Sequence, residues 1–170
     1  MMSGATLKVT DKDAGWDALK DRVLKLSAPG AFTLVGVQGQ QAAAAHREAA
    51  PMTVVDLAVV HEFGAVIRTR SGNEIVIPQR SFIRATIDEH AAKLQRTASA
   101  LGQGVLIGKF QTRQALELLG QQGVGLIKQR IADGIAPPNA DSTKARKGSS
   151  TPLVDTGQLR GAITHRVEGG

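Results

Sequence analysis

Two long stretches in which apolar residues recur every three or four positions dominate the chain. From Ser81 to about Leu101, Ile83, Ile87, Ala91, Leu94, Ala98 and Leu101 follow at spacings of 4, 4, 3, 4 and 3, with Gly102 and Gly104 as the expected stop. That period places them on one face of an α-helix of about 30 Å at 1.5 Å per residue. A second stripe over about 111–133 carries Leu116, Leu119, Gly123, Ile127 and Ile131, and Gly134 closes it. Its glycines at 120, 123 and 125 each cost a helix roughly 1 kcal/mol against Ala. They are expected where another helix packs closely against that face.

Shorter elements surround these two. Residues 5–10 alternate apolar and polar and predict a half-buried strand. Asp13 then caps a helix through Trp16, Leu19, Val23 and Leu26 that Pro29-Gly30 ends, with Trp16 expected in the core. Residues 31–37 predict a second strand, and 38–52, rich in Gln, Ala and Glu, a surface loop. Thr53 is the expected cap of a helix over 54–63 that is apolar almost all round, hence buried on more than one side, with Gly64 as its left-handed stop.

Residues 65–70 and 74–77 flank Ser71-Gly72-Asn73, which predicts a β-hairpin arm with Arg68 and Arg70 on one face. Residues 136–151 read as a polar loop of about sixteen residues, a length that in compact domains accompanies function or disorder. A short helix follows, for which Asp155 is the expected N-cap and Gln158, three residues on, its capping-box partner. Residues 164–168 then form a last strand. The expected fold is α+β in a single domain over 1–170: a small, mostly antiparallel sheet with a projecting hairpin at 65–77, flanked by two long helices and shorter ones.

Composition narrows the functions open to this fold. The chain has 170 residues, 42% hydrophobic and 21% charged, a globular balance. It is long enough to bury roughly 70% of the surface an unfolded chain exposes. Aromatics make up only 3%, which leaves little for base stacking, and the absence of cysteine excludes disulfides and thiol chemistry. No apolar run approaches the roughly 18 residues that span a bilayer, and no secretory signal opens the chain, so no membrane partner is expected. Residues 1–67 carry 6 basic and 7 acidic groups, net −1, whereas 68–170 carry 15 and 8, net +7. A basic half of this kind suits nucleic acid or an acidic partner.

Catalysis finds no footing. His61-Glu62 has the opening of a zinc-protease helix, but the second histidine's place is Ala65. The four histidines (46, 61, 90 and 165) stand too far apart in sequence to pair as ligands on a helix, and Asp88-Glu89 diverge as neighbours on one. No catalytic residue, metal or cofactor is expected. Lys144, Arg146 and Lys147 form the one dense basic cluster, suited to salt-dependent, sequence-independent phosphate contact.

Four phrases, in this order, carry a resemblance: His61-Glu62-Phe63-Gly64; Ile77-Pro78-Gln79-Arg80-Ser81-Phe82-Ile83-Arg84; Pro137-Pro138-Asn139 through Thr143-Lys144; and Pro152-Leu153-Val154-Asp155-Thr156-Gly157-Gln158-Leu159-Arg160. Over about residues 53–167 the chain resembles the virion morphogenesis and tail-completion proteins of tailed bacteriophages, the group that includes neck and tail-terminator proteins. The resemblance implies a structural subunit that forms a ring, hexameric or dodecameric, closing the tail and joining it to the head. The implied partners are other copies of the chain, the tail-tube protein and the neck or connector proteins, with non-specific contact to DNA in the lumen. The implied location is the virion neck, assembled in the host cytoplasm. Arg68, Arg70, Pro78, Arg80, Phe82, Arg84, Lys144, Arg146 and Lys147 are the expected contact residues. The alternatives are an adaptor or stopper ring in the same stack, or a sequence-independent nucleic-acid-binding module.

Overall fold

The structure, a computed structural model, describes residues 14–27, 30–45, 52–68, 72–139, 153 and 157–169. Its elements in order are α1 (Ala14–Ser27), β1 (Phe32–Val37), α2 (Gln40–Ala43), α3 (Val54–Phe63), β2 (Ala65–Arg68), β3 (Glu74–Ile77), α4 (Arg84–Leu106), α5 (Thr112–Asp133), α6 (Gln158–Ala162) and β4 (Ile163–Glu168). The fold is α+β with two small antiparallel sheets, β1–β4 and the β2–β3 hairpin. The strand expected over 5–10 and the Asp13 cap lie outside the described residues.

β1 and β4 pair from Phe32 opposite Glu168 to Val37 opposite Ile163. α5 lies across this ribbon, and α4 packs on α5. Two of the α5 glycines explain the close approach. A Cβ on Gly120 would lie 2.5 Å from His165 Cδ2 and 2.6 Å from Thr33 Oγ1, and one on Gly123 would lie 3.2 Å from Val35. The partner that needs the missing side chains is therefore the strand ribbon, where sequence had suggested a helix. His165 Nε2 also meets Glu117 Oε2 of α5 at 2.7 Å.

One apolar cluster holds the elements together. Phe82, Ile127, Ile131, Ile163 and Val54 are fully buried in it, joined by Ala58, Leu153 and Leu159. Each large side chain removed from water contributes about 1.5–3 kcal/mol, so the second half of α5 and the chain just before α4 anchor the core.

Several elements differ from the sequence pattern. Trp16 is 57% exposed, and Val23 and Leu24 are exposed with it. α1 meets the body at the end of α4, where Arg22 donates to the Leu106 carbonyl, and Trp16, Val23 and Leu24 stay outside the core. The stretch 38–52 contains the helical turn α2, whose Ala42 is buried, and Ala45 bridges Thr53. α4 continues through Gly102 and Gly104 to Leu106. Gly104 serves a contact instead of a stop: a Cβ there would lie 2.6 Å from the Phe110 ring, which folds back under the helix end.

α3 begins as the sequence predicts. Thr53 Oγ1 accepts from the Asp56 amide while Asp56 accepts from the Thr53 amide, and Thr53's side-chain and backbone bonds lower the Asp56 pKa. Burial, however, is one-sided. Val54, Ala58 and Glu62 face inward, and Val55, Val59 and Phe63 face solvent. Gly64 ends the helix at positive φ with extended ψ. α6 starts later than expected: its N-cap is Gly157, in the left-handed region and without a side-chain cap bond. Gln158 is thus the first helical residue. Asp155 lies outside the described residues.

Candidate assembly surface

Glu62 is the structural surprise of the chain. It occupies the inner stripe of α3 in step with Val54 and Ala58, at i, i+4 and i+8, yet it is a carboxylate only 5% exposed. Burial of a charge is costly unless its oxygens are satisfied, and here they are. Oε1 accepts from Ser81 Oγ at 2.7 Å, the Arg84 amide at 3.1 Å and Arg84 Nε at 3.1 Å. Oε2 accepts from the amides of Phe82 at 2.8 Å and Ile83 at 3.0 Å. Burial pushes the Glu62 pKa up, but the bonds from Ile83, Ser81 and Arg84 outweigh it and hold the carboxyl below its ordinary value. The acceptor sits at the start of α4, where unpaired amides and the helix dipole favour negative charge.

Arg80 extends this junction. Its amide donates to the His61 carbonyl at 2.7 Å, while its guanidinium donates to the carbonyls of Pro137 at 2.9 Å and Pro138 at 3.2 Å. Burial lowers its pKa. Arg130 of α5 donates to the Ser81 carbonyl and pairs with Glu89. The first three phrases of the sequence resemblance thus meet at one knot of hydrogen bonds, and from the fourth Leu153 and Leu159 enter the same core.

The knot fixes the root of the hairpin. Gly64 leads straight into β2, and a Cβ on it would lie 3.1 Å from the Ile77 carbonyl oxygen and from the Gln79 amide nitrogen. Gln79 Nε2 also donates to the Glu62 carbonyl. Both feet of the arm are held against the end of α3. Beyond them, among the described residues, the hairpin has no extensive packing on any other element. Its cross-strand pairs are Val66 with Val76 and Ile67 with Ile75. The first pair is 61% and 67% exposed, and the second, on the opposite face, is exposed as well. Such a ribbon is marginal when isolated in water. Contiguous exposed apolar surface on a globular chain marks an interaction site, and the outer stripe of α3 (Val55, Val59, Phe63) adds to it.

The expected contact residues divide accordingly. Arg68 is on the exposed hairpin, where its Nε pairs with Glu74 Oε1 at 2.9 Å. Arg84 lies at the root, half exposed, bonded to Glu62 and stacked over the Phe63 ring at 4.5 Å. Pro78 is half-buried at the foot of β3. Phe82 is fully buried and Arg80 nearly so. Both are spent inside the chain, on the core and on the Pro137 and Pro138 carbonyls, so neither faces a partner. Arg70, Lys144, Arg146 and Lys147 lie outside the described residues.

Sequence reasoning weighed Glu62 only as half of a metal motif. The available signal was a lone acid on the inner stripe of an otherwise apolar helix. Among the described residues no group of three or more His, Asp or Glu side chains gathers as a metal would require. None of their helices is long and apolar enough to cross a membrane. No family model, no curated protein and no solved structure matches the chain.

Proposed function

We propose that this chain is a structural subunit of a tailed-bacteriophage virion, forming a ring at the head–tail junction that completes the tail and joins it to the head. The observation that carries the reading is the hairpin arm. It carries an exposed apolar pair on each face, has no extensive packing on any other described element, and is rooted by the Glu62 knot. Feet held in place leave the arm less conformational freedom to lose on binding. Such an arm on one side of a subunit, meeting a different patch on its neighbour, makes the heterologous contact from which rings close. The order of the four phrases supports the phage assignment, and the tail-terminator position is preferred to an adaptor or stopper.

Electron microscopy of purified virions tests this: the chain is expected at the neck in six or twelve copies. Finding it elsewhere in the particle, or absent from it, ends the proposal. The formal charge of +6 favours one competing reading, a sequence-independent DNA-binding module. That reading requires duplex affinity that falls steeply with salt, whereas a joining subunit binds free duplex weakly.

A further inference from the structure

The hairpin supplies one side of an interface, and a second feature of the same chain offers another. An apolar groove of about 290 Å³ lies between β1, α4 and α5, lined chiefly by Thr33, Val35, Ile87, Leu94, Ala98 and Leu119. No β4 residue lines it, so it opens on the side of β1 away from β4. Among the described residues, that edge of β1 has no strand partner. Side chains alternate along a strand. Thr33 and Val35 therefore face the groove, and Phe32 and Leu34 face the other way, where both are exposed. Among the described residues, β1 is thus an unpaired edge with apolar surface on both of its faces.

We propose that the hairpin of one copy adds to this edge of β1 in a second copy. This inference rests on the ring reading above and names the patch that the arm meets. The Val66–Val76 face seats over Val35, Leu94 and Ala98, and the Ile67–Ile75 face continues the Phe32–Leu34 surface. A hairpin apolar on one face only would satisfy half of this site. This one carries an apolar pair on each face, and its strands of four residues fit within the six of β1. Main-chain bonds then join the two-stranded ribbons into a four-stranded sheet across the subunit boundary, the mode of strand addition to an open edge. The Arg68–Glu74 pair shares the Val66–Val76 face one pleat nearer the tip, where its charges offset each other, and it stays at the rim of a groove whose named residues are uncharged. Among the described residues the arm has no extensive contact with the groove elements of its own chain, and its place differs from the groove's, so the contact is heterologous and propagates from copy to copy, giving a ring where the rotation closes.

The absence of native cysteine permits a direct test on the full-length chain. A V76C/A98C double variant, oxidised at high protein concentration, is expected to give a ladder of disulfide-linked oligomers that collapses with reductant, and neither single variant should give it. A double variant that stays monomeric on a denaturing gel overturns the contact, as does equal cross-linking by V76C alone, which would mean hairpin pairing with hairpin. As a second arm, Val76→Asp is expected to weaken self-association at least about tenfold with an unchanged urea midpoint, since Val76 is exposed in the single chain. Unchanged self-association in V76D, or a wild-type chain still monomeric at high concentration, also overturns the contact. Virion microscopy decides the neck assignment separately, so oligomers that form without the V76C/A98C cross-link remove this interface and leave the function standing.

Discussion

Replacing Glu62 by alanine should destabilise the chain more than almost any other single change. The substitution strands the Phe82 amide, which is buried, together with the part-buried amides of Ile83 and Arg84 and the Ser81 hydroxyl. An unsatisfied buried donor costs about 1–3 kcal/mol. Water can reach the part-buried ones and recover some of that. The Arg84 ion pair adds little, because its guanidinium is half exposed. The net loss is about 3–5 kcal/mol, the range for removing one partner from a buried charged cluster. Urea unfolding reads this as a lower midpoint at unchanged slope. In a chain of this size the melting temperature falls by about 10 °C. Glu62→Gln keeps one acceptor but turns an NH₂ group toward donors, and should lose about 2 kcal/mol. If E62A loses less than about 1 kcal/mol, the carboxylate is not what holds α3, the hairpin root and α4 together.

The same carboxylate sets an acid limit. Its folded pKa lies below the ordinary Glu value of 4.5, so the stabilisation is fully present above that pH and is lost as pH falls through the folded pKa; urea midpoints should drop on acidification more steeply in wild type than in E62A. Gly120→Ala should cost about 1–3 kcal/mol by overpacking against His165 and Thr33. Gly125→Ala, which meets open space, should instead stabilise by up to about 1 kcal/mol, and equal effects in thermal melts would refute the helix–ribbon packing. Arg80→Ala strands the Pro137 and Pro138 carbonyls, and should speed proteolysis near residue 137 while leaving self-association of the folded fraction unchanged; a selective loss of self-association would return Arg80 to the interface.

Periodicity made the long helices legible because the three-to-four spacing persists over six turns, even though part of the α4 stripe, Ile87, Ala91 and Ala98, stays exposed. The α5 stripe of Ile127 and Ile131 is buried as the spacing implies. The hairpin was legible too, since β-branched alternation around Ser71-Gly72-Asn73 admits few other structures. Trp16 and the outer stripe of α3 were misread for one reason: an apolar pattern reports that a face seeks cover, and cannot say whether the cover lies within the same chain. Phe82 and Arg80 failed in the opposite sense. Inside a phrase that resembles an assembly motif they look like contacts, but the phrase turns back on itself and spends both side chains internally. Glu62 was hidden because its partners are backbone amides about twenty residues away, and no pattern of side chains announces them.

The paired feet of the hairpin separate two properties of the molecule. β2 and β3 leave the body side by side, with Gly64 against Ile77 and Gln79, so the body fixes where the arm starts and takes no part in how far it goes. Lengthening both strands by two residues would move the tip outward by about 6.6 Å and keep every side chain on its present face. Lengthening by one would exchange the faces. The span between neighbouring subunits is therefore adjustable in quantised steps, without any change to the core that supports it.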